Sequence, residues 1–274
     1  MIGGGGVGYA VLCPTRVIHI LNLKIFNRPG SLHQVLEVIA GYGLNIVNLS
    51  TLGYTCRPEE TSHVSLFIDF TDSSVTLEKL LEELRALGNV VEVDGIRQQL
   101  PGFTVNTGAF PLQLMRYRAV ILREPVYMGL ISGLRERLGG AGEALLYHVG
   151  LEAGKALGSN IVEMGFADQL PIALRLIEII HGRAVLEFGE YTPGSCRCVV
   201  RAYNLFECEG AGRKSKPYSS FYRGFLSGVF TSTMVGEVSV AETKCIAVGD
   251  DYCEFQLESQ GYENPKMAGI AERV

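Results

Sequence analysis

The chain has 274 residues, 47% of them hydrophobic and 19% charged, and carries a net charge of −5 with acidic and basic residues interspersed. That length points to two domains with a sizeable core. The charge balance argues against non-specific binding of nucleic acid or an anionic membrane by the whole surface. No run reaches eighteen uninterrupted apolar residues, so no transmembrane helix is expected. Seven cysteines at irregular spacing do not read as a secreted disulfide framework. The opening residues lack a basic segment before their apolar part, so no signal peptide is expected and the chain reads as cytoplasmic.

Gly3, Gly5 and Gly8 have the spacing of a dinucleotide-binding turn. No strand precedes them, and Pro14 stands where the helix should run, so that reading fails. Residues 1–15 are expected to form a flexible tail. From Arg16 to Phe26 apolar and polar residues alternate as in a strand. Asn27, Arg28, Pro29 and Gly30 break it, and Ser31 is placed to cap a helix carrying Leu32, Val35, Leu36 and Ile39 on one face. Gly41 and Gly43 end that helix. Strands are expected at 44–52 and 62–70, with a turn at 55–60 between them. A helix near 75–87 turns Leu77, Leu80, Leu81, Leu84 and Leu87 inward, and 90–96 closes the unit. The order is βαββαβ, a ferredoxin-like plait over 16–97.

The Asn27-Arg28-Pro29-Gly30-Ser31-Leu32 junction, followed by Gly43-Leu44-Asn45-Ile46, makes this unit resemble the ACT domain family of regulatory modules. The resemblance implies pairing through sheet edges or faces and an amino acid bound at that interface. Asn27, Pro29, Gly30, Leu32 and Asn45 are its candidate residues. Physically, the Pro29–Gly30 turn leaves free backbone N–H groups beside a helix N-terminus, where a carboxylate can sit. A plain chain reversal accounts for the same residues.

Residues 100–108 read as a linker and the entry to a second unit, 103–258. A strand is expected at 114–122, a helix from Pro125 to Leu138, a second from Glu143 and a third near 167–181. Strands then follow at 184–191 and 196–206, and a helix from Tyr218 to about Met234. Val238–Glu242 and Cys253–Leu257 alternate as strands, and Gly249–Asp250 marks the hairpin joining them. Residues 259–274 read as a loosely held tail.

That hairpin carries three candidate metal ligands, Glu242, Cys245 and Cys253, around one turn. A Cys245–Cys253 disulfide and two inert thiols are the alternatives. Cys196 and Cys198 share one face of a strand and fit core packing better than metal binding. Tyr147, Phe166, Phe221, Tyr222 and Phe225 have the character of an apolar pocket lining. They fit ordinary core equally well. His148 stands beside Tyr147 on the same helix.

Tyr147 with Gly150 and Gly154, Phe206-Glu207, Gly224 with Gly228, and the Glu242, Cys245, Gly249-Asp250, Cys253 signature make the second unit resemble the 4-vinyl reductase domain. This is a relative of vesicle-tethering and haem–NO sensor folds. The resemblance implies an α+β domain with an antiparallel sheet and packed helices, and a small hydrophobic or aromatic ligand. Tyr147, His148, Phe221 and Phe225 are its candidate residues. Zinc-bearing members use Cys, Glu, Cys and Cys. Three of these map onto Glu242, Cys245 and Cys253, while the fourth falls at Ser219. A serine hydroxyl is a poor zinc ligand, so Cys208 or water completes the set, or the site stays empty. A zinc here is expected to be structural, closing the hairpin.

The reading is therefore a sensor or regulatory protein, a homodimer that passes its signal to a protein partner because no output domain is visible. It is not read as an enzyme: no nucleotide loop, nucleophile elbow or acid–base pair is found. A reductase or pigment-processing accessory factor, and an assembly scaffold, are the alternatives.

Overall fold

The computed structural model describes residues 8–51, 57, 60–115, 117–189, 197–234 and 236–259. It divides into two compact units, Met1–Val120 and Ile121–Val274.

The first unit comprises β1 (Ala10–Leu12), β2 (Ile18–Phe26), α1 (Ser31–Gly41), β3 (Asn45–Thr51) and β4 (Thr61–Asp69), then α2 (Leu77–Arg85), β5 (Val90–Ile96), β6 (Phe103–Val105), β7 (Gln113–Leu114) and β8 (Tyr117–Arg118). Strands β3-β4-β2-β5 form one antiparallel sheet, in the order of the expected plait. Its pleat sorts the side chains. Leu21, Leu23 and Ile25 of β2 and Val64, Leu66 and Ile68 of β4 face the helices and meet Val35, Ile39, Leu80 and Leu84. Ile18, Ile20 and Phe67 face the other way, against Val11 and Cys13.

That second face corrects two expectations. Part of the expected tail, Ala10–Leu12, pairs with Phe103–Val105 instead of hanging free; residues 1–7 lie outside the description. The expected linker also folds back. The Thr104 hydroxyl donates to the Ile18 carbonyl at 2.8 Å, and buried Asn106 is bonded to Asn22 and Ser65. Residues 103–118 therefore pack within the first unit. The strand expected at 114–122 is only the short β7–β8 hairpin, reversed where Met115 takes a φ of 58°. The cap of α1 is Gly30, at φ 86°, rather than Ser31, which is the first helical residue and buried.

The second unit comprises α3 (Glu124–Leu138), α4 (Gly140–Glu163), α5 (Leu170–Ile180), β9 (Val185–Phe188) and β10 (Arg197–Tyr203), then α6 (Phe206–Glu209), α7 (Ser220–Thr233), β11 (Val238–Lys244) and β12 (Cys253–Ser259). Its sheet is antiparallel in the order β11-β12-β10-β9. Tyr222, Phe225 and Phe230 of α7 are fully buried, as is Phe255 of β12, whose ring centroid lies 5.6 Å from that of Tyr222. Helix α4 lies along α7 through glycines. A Cβ on Gly150 or Gly154 would lie 2.0 Å from the carbonyl oxygen of Phe221 or Phe225. Gly224 and Gly228 meet the Tyr147 and Leu151 carbonyls in the same way. Cys196 and residues 260–274 lie outside the described residues.

Candidate metal centre

A spacing of three places Glu242 and Cys245 on opposite faces of a regular strand. The structure resolves the mismatch with a β-bulge. The register of β11 against β12 shifts between Glu242 and Lys244, leaving Thr243 as the extra residue. Glu242 then lies opposite Phe255 on the inner side, and Cys245 follows as a buried residue. The connection to β12 is tight. The Cys245 carbonyl accepts from the N–H groups of Val248, Gly249 and Asp250, and the Asp250 carboxylate accepts from the Cys245 N–H at 2.8 Å. Gly249 takes a φ of 119°. The Arg213 guanidinium packs where a side chain at this position would stand. Cys253 opens β12 and accepts from the Ile246 N–H at 3.3 Å.

Cys208 arrives from α6. One ligand atom each from Cys208, Glu242, Cys245 and Cys253 lie within 4.8 Å of one another, with all three cysteines buried. The Cys208 and Cys245 sulfurs are 3.6 Å apart, and neither they nor Cys253 are in a disulfide. Hydrogen bonds from Cys208 and Cys253 pull the Cys245 thiol far below the usual thiol range. Sharing with Cys245 and Cys253 drives Cys208 far above it. Burial pushes the Glu242 carboxyl up to about 8. Glu242 Oε2 accepts from the Ser219 N–H at 3.3 Å. Its Oε1 and the Ser219 hydroxyl are buried with no hydrogen-bond partner among the described residues. The Ser219 side chain still stands close enough to the carboxylate to act on its acidity. Four electron-rich donors and an orphaned carboxylate oxygen are what a cation-sized gap leaves behind.

Around this cluster lie buried ions that the sequence reading did not single out. Glu207, fully buried, accepts from Arg135 and from the N–H groups of Phe221 and Tyr222. Glu178, also fully buried, pairs with Arg183 and accepts from the Tyr222 hydroxyl at 3.1 Å. Such pairs join residues distant in sequence and leave no periodic trace; only the position of Glu207 beside Cys208 hinted at one of them.

The remaining candidate residues are dispersed. Tyr147 is half-buried and lines a pocket of about 200 Å³ with Leu151, Lys155, Ser227 and Thr231. His148 is exposed beside it. Phe221 and Phe225 stack in an aromatic cluster that also holds Tyr127 and Phe206, and Arg183 lies over the Phe225 ring; neither lines that pocket. Phe166 is exposed. In the first unit Asn27, Pro29 and Gly30 form the β2–α1 junction. The Asn27 amide donates to the Arg57 carbonyl, and Leu32 packs against the plait core. Asn45 is not part of that junction. It pairs with Asp69, which pairs with Ile18 at the far end of β2, about 25 Å away at 3.3 Å per residue.

Residues 198–259 match the model of the 4-vinyl reductase domain, so the C-terminal part of the chain carries that domain. A UPF0735 ACT domain-containing protein of Clostridium tetani is 31% identical over 75 residues, covering 27% of this chain and 47% of that protein. The chain thus spans about half the length of that relative. An uncharacterized protein of Methanocaldococcus jannaschii is 25% identical over 131 residues, 45% of this chain and 69% of the relative. Among solved structures, the chain is similar to the phenol-responsive sensory domain of the transcription activator PoxR with phenol. The identity is 16%, covering 58% of this chain and 85% of that one, with a TM-score of 0.46. A vinyl-4-reductase family protein from Methanocaldococcus jannaschii gives 22% identity, 52% and 85% coverage, and a TM-score of 0.39.

Proposed function

We propose that the second unit holds a structural zinc ion on Cys208, Glu242, Cys245 and Cys253. The observation that carries this reading is the convergence of those four donors from three separate stretches of chain. Thiolates are soft donors suited to zinc, and three of them with one carboxylate fill a tetrahedral shell. With Zn–S bonds of about 2.3 Å, a tetrahedron has sulfur–sulfur edges of roughly 3.8 Å. The 3.6 Å between Cys208 and Cys245 is close to that edge. A filled shell leaves no open position for substrate, so the ion supports the fold instead of doing chemistry. Cys208 takes the place that the resemblance assigned to Ser219.

Around this centre, we propose a regulatory, ligand-sensing role. The 4-vinyl reductase domain, and a relative that carries an ACT domain in its name, support it. The second unit takes a small hydrophobic or aromatic ligand, with Tyr147, His148, Phe221 and Phe225 as its candidate contacts. The plait takes an amino acid at the Asn27–Gly30 junction. A cytoplasmic homodimer signalling to a protein partner completes the reading. No helix among the described residues is long and apolar enough to cross a membrane. The apolar side chains that α5 leaves open, Ile172, Leu176, Ile179 and Ile180, support pairing with a second copy. Native mass spectrometry of the purified protein tests the reading. A dimer carrying zinc and a co-purified small molecule supports it, and a metal-free, ligand-free monomer overturns it.

A further inference from the structure

Cys208 is held differently from the other three donors. Glu242, Cys245 and Cys253 are fixed by a strand ladder and a hydrogen-bonded turn. Cys208 sits on α6, four residues long, and a single turn of helix does not hold its own shape in water. Its place depends on what anchors its neighbours. Phe206 does so with its ring, 4.5 Å from that of Tyr127, and Glu207 does so with its charge.

The Glu207 carboxylate is fully buried and meets three donors. Oε1 accepts from Arg135 Nη2 at 2.8 Å and from the Phe221 N–H at 3.1 Å. Oε2 accepts from the Tyr222 N–H at 2.8 Å. The last two are first-turn amides of α7, which otherwise lack partners and favour a negative charge. Arg135 comes from α3 with its side chain 8% exposed, and also donates to Glu143 and to the Tyr218 carbonyl. Its guanidinium lies 3.7 Å from the centroid of the Tyr218 ring. The next residue, Ser219, donates its N–H to Glu242. The start of α7 is therefore gripped on one side by a candidate metal ligand, and on the other by the residue adjacent to a second ligand.

We propose that Glu207 and Arg135 are positioning residues of the metal centre: their buried ion pair, closed over the first turn of α7, fixes Cys208 within reach of the ion. The proposal rests on the zinc reading above. It has a reciprocal consequence. Whatever the pair adds to metal binding, metal binding returns to the order of the α3–α6–α7 junction. Outer partners of this kind set metal affinity by about 10- to 100-fold.

The test uses the full chain, reduced, with zinc affinity measured by competition against a chromophoric chelator. Cobalt(II) is the spectroscopic probe, because its thiolate charge-transfer absorbance counts bound sulfurs. Three proteins are compared: wild type, Arg135→Lys, and the double variant Arg135→Met with Glu207→Gln. The double variant leaves no unpaired buried charge and so guards against simple unfolding. The double variant is expected to bind zinc about 10- to 100-fold more weakly, with the cobalt spectrum falling from three thiolates to two. Arg135→Lys, keeping the charge, is expected to restore most of both. In hydrogen exchange, the Phe221 and Tyr222 amides of the wild type are expected to exchange faster once zinc is removed. Unchanged affinity and an unchanged three-thiolate spectrum in a folded double variant overturn the proposal and leave the metal reading standing. A double variant that does not fold, together with Phe221 and Tyr222 exchange indifferent to zinc, also overturns it. A wild type that binds neither zinc nor cobalt overturns the metal reading and this proposal with it.

Discussion

Gly154→Ala should destabilise the second unit strongly, although alanine is the better helix former. The added Cβ would stand 2.0 Å from the Phe225 carbonyl oxygen and 2.9 Å from two further backbone atoms of α7. Backbone cannot rotate aside, so reaching an ordinary contact of about 3.4 Å needs α4 and α7 to part by about 1.4 Å at that point. A gap of that order forfeits much of the dispersion energy along the seam, where Gly150, Gly158, Gly224 and Gly228 also touch the opposite helix. Overpacking of this kind costs about 1–3 kcal/mol and sometimes more. Alanine returns about 1 kcal/mol through helix propensity. With both backbones rigid, a net loss of about 2–4 kcal/mol is expected, a large share of a typical domain's stability. Gly133→Ala on α3 is the matched control. Nothing lies within 4 Å of its Cβ, so it should gain about 0.5–1 kcal/mol. Urea unfolding followed by far-ultraviolet circular dichroism reads both variants, with an unchanged slope required for a stability interpretation. A double variant at Gly150 and Gly154 should lose less than the sum of the singles, because the first substitution already parts the helices. A Gly154→Ala protein as stable as wild type would refute the close-packed seam.

Three further outcomes follow from single contacts. Asn106→Ala should cost about 1–3 kcal/mol in thermal or urea unfolding of the first unit, because it strips buried Ser65 and half-buried Asn22 of their partner. Thr76→Ala should cost about 1 kcal/mol and Thr76→Gly only a few tenths, since the Thr76 hydroxyl accepts from the Lys79 N–H at the start of α2. Equal losses would assign the effect to something other than the cap. Cys253→Ser should abolish tight metal binding and lower the melting temperature of zinc-treated protein toward that of chelator-treated wild type. A melting temperature indifferent to chelator in both proteins would remove the structural role.

Much of this architecture is legible in the chain. The period-two runs at 16–26 and 62–70 and the leucine stripe of Leu77, Leu80, Leu81 and Leu84 set the plait, because each pattern admits one buried face. The Cys245–Cys253 turn was visible for the same local reason. Features that depend on distant partners were not. Nothing in Ala10-Val11-Leu12 announces that it pairs with Phe103-Thr104-Val105, and a Gly-rich approach to it suggests the opposite. Ser31 looks like a cap until Gly30 is seen in a left-handed conformation that frees the preceding turn. The odd spacing of Glu242 and Cys245 is a sequence clue to the bulge, since only an extra residue puts both inside. The partnership of Arg135 with Glu207 crosses 72 positions and has no local signature.

The metal stoichiometry of the freshly purified, reduced chain tests the central claim most directly, read by native mass spectrometry beside a Cys245→Ser protein prepared in parallel. One zinc ion per chain in the wild type and none in the variant is the predicted result. A wild type that remains metal-free in the presence of excess zinc, or a variant that keeps its zinc, contradicts the assignment of Cys208, Glu242, Cys245 and Cys253 as a metal centre.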